Sequence, residues 1–117
     1  MYTVLTMIFI QLKKEVSVRH SLDTPEGKDD FWSEMRMWCH QNYGSVTLNV
    51  EEDNLVFLWA PAKGEKVDLS FEAREIARNY LVKRAKYGGQ DNYAACEIRH
   101  PVTHELLGAS AIFLPRL

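Results

Sequence analysis

The alternation of apolar and polar residues predicts two strands before the first helix and a hairpin after it. Residues 2–12 are apolar on both faces and rich in β-branched side chains, which indicates a strand covered on both sides or placed at an interface. Residues 16–22 alternate between apolar and polar, as in a half-buried strand. Residues 45–60 predict a hairpin around a polar turn at residues 51–54, and its second strand, residues 55–59, is apolar on both faces and therefore central.

A second hairpin is predicted at the C-terminal side, where residues 93–100 pair with residues 105–114. Pro101 suits the first central position of a tight turn, and His104 lies where a residue with left-handed backbone angles usually closes such a turn. The second strand contains the small residues Gly108, Ala109 and Ala111. Small side chains allow a bulky element such as a helix to approach closely.

The first helix is predicted to begin at Thr24, with Pro25 at its first position and Glu26 in its first turn. Asp29 or Asp30 is an alternative cap. Gly44 is placed to end the helix. Spacings of three and four residues give this helix one core-facing stripe. The stripe contains Phe31, Met35, Trp38, Cys39 and Asn42.

The second helix is predicted over residues 69–89, with Asp68 or Ser70 as its cap and Gly88 as its left-handed end. Its core stripe contains Ala73, Ile76, Ala77, Tyr80 and Leu81. The full order is β-β-α-β-β-α-β-β. These elements predict an α+β fold in a single domain, residues 1–117, with two helices on one face of a largely antiparallel sheet of about six strands.

Composition and charge exclude several classes of protein. The chain is 46% hydrophobic and 26% charged, as soluble globular domains are, and its net charge of −2 argues against strong attraction to nucleic acid or to anionic membranes. The apolar run at residues 2–12 lacks the arrangement of a signal peptide and is too short to cross a bilayer as a helix. Two cysteines without zinc-type spacing fit reduced, buried thiols. We therefore expect a soluble cytoplasmic protein.

Catalytic and cofactor motifs are not evident. No phosphate or dinucleotide fingerprint is present, so no cofactor is expected. Cys39 and His40 are neighbours on a helix and point about 100° apart, which disfavours a catalytic pair. A metal or catalytic site is a less favoured alternative at His100, His104 and Cys96, because the turn brings the histidines together and Cys96 shares a strand face with His100. The chain is thus not expected to be an enzyme.

Large apolar side chains exceed what one helix–sheet interface needs. They are Trp32, Met35, Met37, Trp38, Phe57 and Trp59. Because Trp and Met are enriched in interfaces, this surplus predicts a protein-binding module of the inhibitor, adaptor or accessory type, whose partner is another protein or a second copy of itself. Small inhibitors encoded by a virus or mobile element have the same profile. The protein-binding candidates are Trp32, Met37 and Trp59.

The alternative is a nucleic-acid-binding domain that uses the basic half of the second helix. Its candidate residues are Arg74, Arg78, Lys83, Arg84 and Lys86. A helix of this kind could contact phosphates. Cations near the end of a helix also complement its dipole, which explains the same residues without a ligand. Affinity for nucleic acid that falls steeply with salt would distinguish the two explanations.

Overall fold

The computed structural model describes residues 21–115, which form two helices and four strands. In chain order they are α1 (Pro25–Tyr43), β1 (Thr47–Glu51), β2 (Asn54–Leu58), α2 (Leu69–Lys86), β3 (Tyr93–Arg99) and β4 (Leu106–Phe113). The two helices and the two hairpins of the described residues lie where the sequence predicted them. The chain is therefore α+β, as expected.

The sheet differs from the prediction. Among residues 21–115 it has four strands in the order β1-β2-β3-β4, and its central pair, β2 and β3, is parallel. The expectation of about six largely antiparallel strands in the order β-β-α-β-β-α-β-β is wrong. The reason is the connection: α2 carries the chain back to the end of the sheet where β2 begins, so β3 runs beside β2 in the same direction. The strand predicted at residues 2–12 and most of that at 16–22 lie outside the described residues.

The α1 helix begins and ends at the residues that its sequence indicated. Thr24 Oγ1 accepts a hydrogen bond from the Gly27 amide at 3.0 Å, and Pro25 occupies the first turn, where its missing N–H costs nothing. Gly44 follows the last turn with φ 82°, a left-handed angle that favours glycine. The core-facing stripe buries Phe31 and Met35 completely. The predicted bounds of the first helix are confirmed, whereas Asn42, a member of the predicted core-facing stripe, is exposed.

The α2 helix is capped at both ends by local hydrogen bonds. The Asp68 carboxylate accepts from the Phe71 amide at 3.1 Å. At the other end, the Gly89 amide donates to the Arg84 carbonyl at 2.8 Å and the Gly88 amide donates to the Ala85 carbonyl at 3.2 Å. With Gly88 at φ 82°, this is a Schellman motif. The predicted cap at Asp68 and the predicted glycine stop are confirmed.

Both helices bury their stripes in one core against the same face of the sheet. The helix residues are Met35, Cys39, Ala73, Ile76, Ala77 and Leu81, and the strand residues are Leu48, Leu55, Phe57, Ala94, Cys96, Ile98 and Ile112. Each fully buried large side chain contributes roughly 1.5–3 kcal/mol relative to an exposed one. Two helices on one face were expected, and that part of the prediction agrees with this core.

The N-terminus of α2 lies directly on β4 at Gly108. A Cβ atom built on Gly108 would lie 2.6 Å from the Cβ of Leu69, much closer than carbon atoms pack. A close helix approach at this small residue is therefore confirmed. Ala109 and Ala111 are exposed instead, so their small size does not serve the helix.

The two hairpin turns use left-handed backbone angles at residues other than glycine. His104 has φ 63°, as predicted for the residue that closes the second turn. In the first turn, Glu52 has φ 49° and Asp53 has φ 68°. A two-residue turn with both angles positive matches the twist of the strands, although Asn-Gly is the sequence usually found there.

Candidate protein-binding surfaces

The predicted contact residues of α1 have different surroundings. Trp32 is partly buried and packs edge-on against Phe31, with ring centroids 5.0 Å apart, while the Arg36 guanidinium lies 5.7 Å from the Trp32 ring. Its ring also lies 6.0 Å from that of Tyr80, so Trp32 helps to join α1 to α2. Met37 is 60% exposed. Of these two residues, Met37 is the one available to a partner.

The third predicted contact residue, Trp59, lies at the end of β2 in an aromatic cluster. Its ring centroid lies 5.0 Å from that of Tyr43, with the ring planes at 67°. The Tyr43 hydroxyl donates a hydrogen bond to the Glu72 carboxylate. Burial, followed by this hydrogen bond, raises the pKa of Tyr43 far above its ordinary value, so the phenol stays neutral and remains a donor.

A cleft of about 240 Å³ opens beside this aromatic pair. It lies between the C-terminal end of α1, the loop after β2 and the first turn of α2. Its lining residues are Asn42, Tyr43, Trp59, Glu65, Val67 and Glu72. We call it the aromatic–acid cleft. It combines two aromatic rings with two carboxylates, and neither glutamate is among the candidate site residues predicted from the sequence.

The face of the sheet opposite the helices, here called the open face, carries a mostly apolar strip along β3 and β4. Register pairs place Tyr93 beside Phe113 and Ala95 beside Ala111. Phe113 is 61% exposed and Tyr93 is 58% exposed. Toward the other end, Leu106 is 49% exposed. These residues alternate with buried ones, so the strand period decides which of them face away from the core.

Away from β4 the open face is mixed, because β2 places Val56 and Leu58 between the polar side chains of β3 and β1. On β3, the Arg99 guanidinium pairs with the Glu97 carboxylate at 2.9 Å. On β1, the side chains of Thr47, Asn49 and Glu51 are exposed, and the pairing of β1 with β2 places them on this face. An apolar strip bordered by polar residues is typical of a protein interface.

β4 also forms an edge of the sheet. Within residues 21–115 its only strand neighbour is β3. The eight residues Leu106–Phe113 contain no charge and no proline. Natural edge strands usually carry such residues, or are short, because a long uncharged edge offers its backbone N–H and C=O groups to another strand. β4 is therefore well suited to pair with a partner.

The basic residues of α2 are largely engaged within the molecule. The Lys83 ammonium lies 5.7 Å from the Trp38 ring, and the Lys86 ammonium lies 3.6 Å from the Glu34 carboxylate, so both contact α1. Arg84 pairs with Asp91 at 2.8 Å and Arg78 with Glu75 at 3.1 Å, while Arg74 is exposed. These contacts explain most of the cluster by packing. Nucleic-acid binding through this helix stays a prediction.

The two histidines of the second hairpin have structural roles in its turn: His100 accepts hydrogen bonds from turn amides, and His104 closes the turn. His100 Nδ1 accepts from the Val102 amide at 3.1 Å and from the Thr103 amide at 3.3 Å. His104 is exposed, and Cys96 points into the core, where burial raises the pKa of its thiol to about 12. Across residues 21–115, no group of three or more His, Cys, Asp and Glu side chains is arranged to hold a metal ion.

The other cysteine is equally shielded. Cys39 is buried, and burial raises the pKa of its thiol to about 11, although nearby Lys83 lowers it in part. His40, its neighbour, is exposed. A protonated, buried thiol is a poor nucleophile. The two side chains do not form a catalytic pair.

Comparison of the chain with models of protein families, with curated proteins and with solved structures finds no match. In the described part of the chain, neither helix has the length and apolar character needed to cross a membrane.

Proposed function

We propose that this chain is a small protein-binding module that contacts its partner through β4 and the adjoining apolar strip of the open face. The observation that carries the proposal is the exposed pair Tyr93 and Phe113 beside an uncharged edge strand. Aromatic residues are enriched among the side chains that dominate binding energy at interfaces. An inhibitor, adaptor or accessory subunit would use such a surface.

The binding mode follows from the geometry of the edge. A strand of the partner adds to β4 through main-chain hydrogen bonds, and the alternate side chains of the added strand lie on the apolar strip. Backbone pairing supplies affinity, and the aromatic pair supplies specificity. The partner is another protein or a second copy of this chain, since β4 carries no charge that would repel its own copy.

The location proposed for the protein is the cytoplasm. Cys39 and Cys96 are free and buried. Free thiols of this kind suit a reducing compartment.

Among the contact residues predicted from the sequence, Met37 offers a second exposed contact on α1. Trp32 and Trp59 contribute to the binding surface mainly by holding neighbouring aromatic rings in place.

The test compares two exposed phenylalanines. Phe113→Ser removes the anchor on the open face, and Phe71→Ser is the matched control, because Phe71 is 54% exposed on α2. Solution mass is measured over a concentration series, and recovery of partners from an extract of the native host is compared between the variants. We expect Phe113→Ser to weaken association about tenfold or more and Phe71→Ser to leave it unchanged. Equal behaviour of the two variants would refute the assignment of this surface.

A further inference from the structure

Aromatic rings between the two helices are covered by cations from the same chain. Arg36 lies over Trp32, Lys83 over Trp38, and Arg84 over Tyr80, with the charged atom 5.3–5.7 Å from each ring centroid. A cation over a ring face is attracted by the negative charge at the centre of the π-system. Cation–ring contacts of this kind therefore recur on α1 and α2.

The aromatic–acid cleft differs from these positions. Within residues 21–115, no Arg or Lys side chain lies over the ring of Tyr43 or Trp59. The two rings meet at 67° and form a corner. Phe57 packs against both rings, with ring centroids 5.1 Å from Tyr43 and 6.2 Å from Trp59, but it does not line the cleft. A group in the cleft therefore meets the corner on the side that Phe57 leaves uncovered. Corners of this type bind alkylated ammonium groups, because the ammonium attracts two π-faces while its methyl or methylene groups lose contact with water.

The charges around the corner favour a cation. Glu72 accepts the Tyr43 hydroxyl, and Glu65 accepts the Ala62 amide at 3.3 Å, so each acid is held at the cleft by one hydrogen bond. Neither acid forms an ion pair within the described residues. Lys63 and Lys66, in the same loop, are exposed and lie beyond ion-pair distance of both acids.

Glu72 also has a structural role that does not compete with a ligand. It lies in the first turn of α2, where the partial positive charge of the helix N-terminus stabilises a carboxylate. The Tyr43 hydroxyl occupies only one of the acceptor positions on the two oxygens of the Glu72 carboxylate. A carboxylate can accept several hydrogen bonds, so Glu72 retains capacity for an N–H donor.

We propose that the aromatic–acid cleft binds an alkylammonium group, with Tyr43 and Trp59 as the π-walls and Glu65 and Glu72 as the counter-charges. The group is carried either by a small amine or by the lysine side chain of a peptide. The cleft lies on the helix side of the sheet and β4 lies at its edge, so this proposal stands independently of the binding surface on β4.

The experiment titrates the full chain with matched pairs of ligands and follows tryptophan fluorescence and NMR amide shifts. Choline is compared with its neutral carbon isostere, dimethylbutanol, and N-acetyl-lysine amide with N-acetyl-norleucine amide. We expect saturable binding of at least one cationic ligand, with a dissociation constant on the order of millimolar, and binding of the neutral isosteres that is weaker by about tenfold.

Isosteric variants locate the site. Glu65→Gln and Glu72→Gln keep an oxygen that accepts the Ala62 amide or the Tyr43 hydroxyl, so the fold is retained while the charge is lost. Each should weaken binding of the cationic ligand roughly tenfold. Glu52→Gln, in the turn between β1 and β2, is the control and should have no effect.

Each outcome decides the proposal. Binding of choline alone identifies a small amine, and binding of the lysine ligand alone identifies a protein side chain; both support an alkylammonium site. Neutral isosteres that bind as well as the cations, no binding of either cation, or equal losses in the Glu72→Gln and Glu52→Gln variants overturn it.

Discussion

Gly108→Ala tests the contact that places α2 on the sheet. The added Cβ would lie 2.6 Å from Leu69 Cβ and 3.2 Å from the Leu69 carbonyl carbon. Carbon atoms normally pack about 3.5–4.0 Å apart, so the overlap with Leu69 Cβ is roughly 1 Å. Because Cβ and the carbonyl carbon cannot rotate away, either the start of α2 or β4 must move.

The magnitude follows from the cost of overpacking. Inserting an extra carbon into a well-packed site destabilises a protein by about 1–3 kcal/mol, and replacing glycine within a strand returns about 0.5–1 kcal/mol. We expect a net loss of about 1–2 kcal/mol in the free energy of unfolding. For a domain of this size, the melting temperature should fall by roughly 4–10 °C.

Urea denaturation and thermal melting measure this loss. Ala109→Val is the matched control, because it adds carbons to the exposed neighbouring position of β4 and should change stability by less than about 0.5 kcal/mol. The cost of Gly108→Ala should persist in a Leu69→Ala background, since alanine keeps the Cβ that makes the contact. A Gly108→Ala variant as stable as the parent would show that α2 does not lie this close to β4.

Three further predictions concern local structure and pH. Asp53→Gly should raise the free energy of unfolding by about 0.5–1 kcal/mol in urea, because glycine adopts the positive φ of 68° without strain; a destabilised variant would contradict the turn. Thr24→Ala should cost about 1 kcal/mol in the same assay because the Gly27 amide loses its acceptor, whereas an unchanged midpoint would exclude the cap. Stability should fall as the pH rises from about 9 toward 11, because unfolded thiols ionise near their ordinary pKa while folded Cys39 and Cys96 stay protonated. A pH series of urea titrations measures this effect. Replacing both cysteines with alanine should reduce the slope but not abolish it, because burial also raises the pKa values of Tyr43 and Tyr80, whose phenols therefore also cost stability in the upper part of the same range.

Elements whose signals lie within a few residues could be predicted from the sequence. Thr24 caps α1 through an amide three residues away, and Gly88 ends α2 through carbonyls of the preceding turn. His104 closes its hairpin with a left-handed angle. Such interactions depend on the residues next to them, so the local pattern is sufficient to indicate them.

The functional assignments depended on contacts that no local pattern contains. Lys83 and Lys86 look like a basic surface on α2, but their partners, Trp38 and Glu34, belong to α1. The aromatic–acid cleft likewise joins α1, β2 and α2. Trp59 can be identified from the sequence because it is large and apolar, whereas Glu72 resembles any acid in a first helical turn.

The local sequence pattern is sufficient to predict the two helices, the two hairpins and the residues that alternate away from the core. The tertiary structure is needed to see that β2 and β3 are parallel neighbours and that Tyr93 and Phe113 remain exposed on the face opposite the helices. The physical reason is that period-two alternation separates two faces of a strand without indicating which neighbour will cover them. That choice belongs to packing between segments distant in the chain.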